Sequence, residues 1–198
     1  MVGRGEKVAM EREQNRREWV LAALEQYEGK LSRYAQRLLG DAEAARDVVQ
    51  FTFLRLCDAR QVEVEGRLAQ WLFTVCRNKA LDLLKSKGGV AGGREADHSD
   101  ERPGVQQLSR EIDPASAAED AELHGLLLLL VETLPPSQRE TLDLWAQGFS
   151  YAEIAAISSR QEGHIRVLVH RGLKALREHP QVRELMVDGS PVHGASLG

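Results

Sequence analysis

Residues Ser150 to Leu176 read SYAEIAAISSRQEGHIRVLVHRGLKAL, two short apolar-periodic segments around a polar interruption. Ser150 and Glu153 stand at capping-box spacing, so hydroxyl and carboxylate can each satisfy an amide of the first turn and fix where a helix starts. Ile154, Ala155 and Ile157 then share one side, Ser158, Ser159 and Arg160 break the period, and Ile165, Leu168, Val169 and Leu176 resume it. The spacing predicts a helix-turn-helix. Its second helix turns His164, Arg166, His170, Arg171 and Lys174 outward, where a major groove and its phosphates would lie. From Arg160 to Arg177 there are five Lys or Arg against one acid, Glu162, so the segment is basic inside an acidic protein.

The whole chain bounds that reading. Its 198 residues carry a formal charge of −4, which argues against a general polyanion binder and makes any DNA contact local. A patch this small binds weakly and salt-dependently when it acts alone. The two cysteines, Cys57 and Cys76, fall in apolar-periodic helical segments, which predicts reduced core residues and a cytoplasmic protein. No CxxC pair or Cys/His cluster has zinc-ligand spacing, so neither a metal nor a cofactor is expected. Glycine-rich phosphate loops, HExxH and GxSxG are missing as well, which makes an enzyme the least expected class. The N-terminal MVGRGEKVAMEREQNRREW has no apolar stretch of the signal-peptide kind, and the longest apolar run, Leu126 to Val131, is too short to cross a bilayer. Membrane insertion is therefore not expected.

Outward from the helix-turn-helix the pattern is helical throughout, giving an all-α fold of two small helical domains joined by a flexible linker. Residues 11–87 form the first domain. Trp19, Val20, Leu24, Tyr27, Leu31, Tyr34, Ala35, Leu38 and Leu39 follow helical spacing up to Gly40, a C-terminal breaker, and Asp41 can cap the next helix. That helix sends Ala44, Ala45, Val48, Val49, Thr52, Phe53 and Leu56 inward before a polar stretch, Asp58 to Glu65, which reads as a connecting loop. Arg67 to Lys85 forms a longer helix with Leu68, Trp71, Leu72, Val75, Cys76, Leu83 and Leu84 on its stripe. Residues 88–120 are rich in glycine and acid and read as the linker. In the second domain, 121–180, a leucine-rich helix precedes Pro135 and Pro136, which suit a first helical turn, and another helix runs from Ser137 to Gln147 before Gly148 ends it. Residues 181–198 are expected to be a mobile tail.

Two separated blocks resemble one family. GDAEAARDVVQFTFLRL followed by LAQWLFTVCRNKALDLLKSK is similar to region 2 of the extracytoplasmic-function sigma factors of bacterial RNA polymerase, in the sigma-70 family. LPPSQRETLDLWAQGFSYAEIAAISSRQEGHIRVLVHRGLKALRE resembles their region 4. An isolated helix-turn-helix pattern is weakly specific, whereas this ordered pair is strongly specific. The resemblance implies a sigma region 2-like helical bundle and a region 4-like helix-turn-helix, with bacterial core RNA polymerase, promoter DNA and an anti-sigma factor as partners. It implies that Asp47, Gln50, Phe51, Leu54 and Arg55 face the polymerase. It also implies that Arg77, Asn78, Lys79, Asp82, Lys85 and Lys87 face the −10 element, where Lys and Arg neutralise phosphates and Asn bonds base edges. His164, Arg166, His170, Arg171 and Lys174 would then face the −35 element.

The chain departs from the family pattern at the turn. Where the family usually has Leu-Gly-Ile-Ser, this chain has Ser158, Ser159, Arg160 and Gln161, and Ser159 with Glu162 is expected to form a replacement capping box. Leu168 stands where the family often has arginine, Val167 where a small polar residue is frequent, and Phe51 and Thr52 where an acidic and an apolar residue follow the glutamine. The expected function is a sigma factor that binds polymerase, reads both elements and helps melt the promoter. The departures motivate a sigma-like decoy or adaptor as the alternative. An ordinary helix-turn-helix regulator fits the acidic balance and short patch less well.

Overall fold

The computed structural model describes residues 4–87 and 118–183, so nearly all of the expected linker and tail lies outside the described residues. Among the described residues there are helices and no strands: α1 (Arg4–Leu39), α2 (Ala42–Asp58), α3 (Gln61–Val64), α4 (Leu68–Lys87), α5 (Ala118–Thr133), α6 (Pro136–Ala146), α7 (Tyr151–Ser158) and α8 (Glu162–Glu178). They fall into two compact units, α1–α4 with residues 152–160, and α5, α6, Tyr151 and α8.

In the first unit, α1, α2 and α4 pack pairwise as a three-helix bundle. Gly40 ends α1 at φ +67°, donating its amide to the Gln36 carbonyl at 2.8 Å, a left-handed position that glycine takes without a Cβ clash. The Asp41 carboxylate then caps α2 by accepting from the amides of Glu43 and Ala44 at 3.0 and 3.2 Å. All seven residues expected to point inward from α2 are buried. The expected loop at Asp58 to Glu65 is instead the one-turn α3, followed by a 3-10 turn over Glu65–Arg67, with Val64 buried. One apolar anchor is enough to close that turn onto the bundle.

Of the stripe expected on α4, Leu72 and Cys76 are buried, whereas Leu68, Trp71, Val75, Leu83 and Leu84 are only half-buried. Phe73 is 1% exposed, and its ring centroid lies 5.1 Å from that of Tyr34 with the planes at 55°. Packing against both α1 and α2 turns inward the face that carries Leu72, Phe73, Cys76, Arg77 and Ala80. Both cysteines were expected inside. Cys76 is buried, but Cys57 is exposed at the end of α2. Desolvation pushes the Cys76 thiol up to about 12, against an opposing hydrogen bond with Thr52. Since the thiolate is the reactive form, a disulfide reagent at pH 8 should titrate one thiol per native chain quickly. The second should react only on unfolding; two fast thiols would contradict this packing.

In the second unit α6 packs along α8, with α5 touching α8. Pro136 is the first residue of α6, where its missing amide proton costs nothing, and Gly148 closes the far end at φ +93°. Helices α6 and α8 approach closely at Gly172, where an added Cβ would meet Leu142 Cδ1 at 2.6 Å and Cγ at 3.1 Å. Helix α7 starts directly after Ser150 and buries Ile154, Ala155, Ile157 and Ser158. Among the described residues no helix is long and apolar enough to cross a membrane.

Candidate nucleic-acid interface

Helix α8 is sharply two-sided. Ile165, Leu168, Val169 and Gly172 are buried, while His164, Arg166, His170, Arg171 and Lys174 are all exposed. The structure therefore puts the five residues expected to face DNA on accessible positions of one helix. Leu168, 5% exposed, is a core residue, so leucine there removes no cation from the outer face. Two of the cations have intrahelical partners. Arg166 Nη2 bonds Glu162 Oε1 at 3.0 Å, and its guanidinium carbon lies 5.6 Å from the Tyr151 ring centroid, while Lys174 Nζ is 3.8 Å from Glu178 Oε1. Exposed pairs of this kind are worth little, so either cation can be given up to a phosphate or base at small cost. Glu162 and Tyr151 were not foreseen as neighbours of Arg166; the four-residue spacing of Glu162 and Arg166 was the legible signal.

The turn before α8 corrects the expected capping box. Ser159 adopts φ 55°, and the Arg160 amide reaches back to the Ala155 carbonyl at 3.0 Å, closing α7 as a Schellman motif with serine in the left-handed position. Ser159 thus ends α7. The N-cap of α8 is Gln161, with no side-chain cap bond, and the Glu162 carboxylate accepts from Arg166. Serine at positive φ is strained where glycine is not. Ser159→Gly is expected to stabilise the protein by about 1 kcal/mol, read as a rise in Tm; an unchanged or lower Tm would contradict the conformation.

On α4, Asn78, Asp82 and Lys85 are exposed and spaced to share one face. Arg77 departs from expectation: it is 8% exposed and partnered within the fold, because its position turns toward the bundle that buries Phe73 and Cys76. Only the backbone of Lys87 is described. Lys79 is half-buried with Nζ 4.7 Å from the Phe51 ring centroid, a cation–π contact from α4 to α2. That contact settles how α2 accommodates two nearby phenylalanines: Phe53 is core, and Phe51 lies half-exposed under the Lys79 ammonium.

Asp47, Gln50 and Arg55 are exposed on α2, and Leu54 is 58% exposed. Gln50 and Leu54 line an open groove of about 370 Å³ whose other wall is α1, through Val20, Leu24, Glu28 and Ser32. The contribution of α1 was not foreseen, since periodicity in one helix does not reveal which neighbour completes a groove. Among the described residues no cluster of His, Cys, Asp and Glu could hold a metal ion.

Comparison with known proteins matches these two helical units in order. Residues 23–89 match the sigma-70 region 2 family and residues 124–176 the sigma-70 region 4 family. The chain is 32% identical over 162 residues to the ECF RNA polymerase sigma factor SigL of Mycobacterium tuberculosis, covering 79% of this chain and 85% of SigL. It is 31% identical over 170 residues to the RNA polymerase sigma factor CarQ of Myxococcus xanthus, covering 79% and 90% of the two chains. With SigE of Mycolicibacterium smegmatis the identity is 28% over 155 residues, and the chain spans only 58% of that protein's length. In fold it resembles the sigma factor RpoE of Bartonella quintana, solved with the anti-sigma factor NepR, at a TM-score of 0.51 and 23% identity over 88% of this chain and 98% of that one. With both sigma regions matched in order and SigL covered over most of its length, the chain belongs to the extracytoplasmic-function sigma factors of the sigma-70 family.

Proposed function

We propose that this protein is a promoter-specificity subunit of bacterial RNA polymerase, acting in the cytoplasm and performing no chemistry of its own. The outer face of α2, with Asp47, Gln50, Phe51, Leu54 and Arg55, docks on core polymerase. Asn78, Lys79, Asp82 and Lys85 of α4, with Lys87 beyond them, hold the −10 element and help melt it, and Arg77 supports that helix from inside. His164, Arg166, His170, Arg171 and Lys174 of α8 engage the −35 element, Arg166 at a base and Arg171 and Lys174 at phosphates. The observation that carries this reading is the accessible cationic face of α8 in a chain that also carries region 2. Neither face is strongly basic, because a shared chain and the polymerase supply effective concentration. An anti-sigma factor would act by covering these faces, as the pairing of RpoE with NepR suggests.

The decoy alternative drew on the altered turn and on Leu168. The turn closes without glycine, and Leu168 is core, so both motives weaken. Run-off transcription with bacterial core polymerase on randomised promoters separates the two. Transcripts sharing two elements at fixed separation are expected, with Arg166→Ala and Asn78→Ala each reducing them roughly tenfold, the effect of losing a base contact of 1–3 kcal/mol. Binding to core polymerase with no promoter-directed transcript would favour the decoy.

A further inference from the structure

Val167 interrupts the cationic face of α8 with an apolar side chain that the fold does not use. The neighbouring Ile165, Leu168 and Val169 are 0, 5 and 1% exposed, whereas Val167 is 43% exposed. Helical spacing places His164 and Gly163 one turn before it and His170 and Arg171 one turn after it, all exposed. Gly163 is equally unexplained by the fold. Its φ is not in the left-handed range, and a Cβ built on it would meet nothing within 4 Å. Glycine is a poorer helix former than alanine, so even in the first turn of α8 position 163 forgoes stability without internal need. Together Gly163 and Val167 form a shallow uncharged slot bordered by His164, His170 and Arg171.

The border decides what fits. A protein segment apolar enough to cover Val167 would have to desolvate the Arg171 guanidinium and the imidazole N–H groups beside it, whereas a DNA major groove brings phosphates to the rim and base edges to the centre. Of the four bases only thymine presents an apolar group on that edge, its C5-methyl. We propose that Gly163 and Val167 form a thymine-methyl slot, which makes Val167 a specificity-determining residue for the −35 element. Glycine at 163 lowers the helix surface so that the base edge approaches closely, and the Val167 methyls pack against the thymine methyl. This rests on the reading of α8 as the −35 recognition helix.

The test uses holoenzyme assembled from this protein and bacterial core polymerase on a promoter recovered from the randomised library. Each thymine in the −35 element is replaced in turn by deoxyuridine, which removes one methyl and keeps every hydrogen bond. At one position the substitution is expected to weaken promoter occupancy about fourfold, the worth of one buried methyl-sized group. In Val167→Ala the thymine and deoxyuridine templates should become nearly equal at that position, chiefly through loss on the thymine template. Gly163→Ala should raise Tm and yet weaken the thymine template, a combination that a purely structural glycine would not give. The proposal is overturned if no deoxyuridine position matters, or if the preference for thymine persists undiminished in Val167→Ala. Val167→Ala lowering both templates alike would also overturn it and point to a protein contact at the slot. Failure of the underlying reading looks different: no promoter-directed transcript forms on any template, and the slot falls with it.

Discussion

Phe73→Ala is expected to destabilise the first unit by about 3–5 kcal/mol, the cost of removing a buried phenylalanine and leaving a cavity. Phe73 is 1% exposed and its ring meets that of Tyr34, itself 1% exposed, so α1 and α4 would lose their central aromatic contact. The faces around the ring, with Leu31, Leu56 and Leu72 at 0% exposed, have little room to collapse onto the gap. Domain stabilities run at about 5–15 kcal/mol, so the variant should sit near the edge of folding. Urea unfolding followed by fluorescence can isolate the effect, because Trp19 and Trp71 belong to the first unit and Trp145 to the second. Asn78→Ala on the exposed side of the same helix should shift the same transition by no more than about 0.5 kcal/mol. A Phe73→Ala loss below about 1 kcal/mol would mean that the ring is not the packing centre of this bundle.

Gly172→Leu should be the most damaging change in the second unit, costing about 3 kcal/mol, at the upper end for overpacking. The clash begins with the first added carbon, since even a Cβ would meet Leu142 Cδ1 at 2.6 Å, and Leu142 is 5% exposed with little space to retreat. The remedy is specific. Leu142→Ala alone should cost about 2–5 kcal/mol by opening a cavity, but combined with Gly172→Leu the total should fall well below the sum, because the new side chain occupies the volume that Leu142 vacated. Additive losses in the double variant would show that the two positions do not share a contact.

Much of this architecture was legible where one local rule governs one residue. Gly40 and Asp41 are such a pair: a left-handed stop and a carboxylate cap act within a few residues, and both behave as the sequence pattern predicts. The inward face of α2 was equally plain, because a helix that buries one stripe repeats every three to four residues. Phe73 and Arg77 were misread for the opposite reason. Contact with α1 and α2 centres the buried face of α4 on Leu72, Phe73, Cys76 and Ala80 and leaves Leu68, Trp71 and Val75 half-buried, a rotation that the apolar pattern of one helix does not reveal, and it takes a long cation inside together with the aromatic ring. Ser159 shows a different limit. Its hydroxyl suits a helix start and its backbone a helix stop, and the stop prevails: the left-handed Ser159 lets the Arg160 amide close α7 on the Ala155 carbonyl. At the interface, the exposed cations of α8 followed from periodicity, whereas the Lys79–Phe51 contact depends on how α2 and α4 cross, which neither helix encodes alone.

The length of α1 changes where the folding unit should be taken to begin. Its 36 residues span about 54 Å, and Arg16, well inside that length, donates to the carbonyls of Cys57 and Ala59, the latter at 3.0 Å. These oxygens belong to the C-terminal end of α2, whose last carbonyls a helix cannot satisfy by itself. The stretch matched to the sigma-70 region 2 family starts at residue 23 and so excludes the very side chain that ties this end down. The unit tied together by contacts and the stretch matched to the family therefore have different boundaries in this protein. A fragment excised along the family boundary would carry the complete three-helix core with one end of α2 left to water, and an expression boundary drawn before Arg16 keeps that end closed.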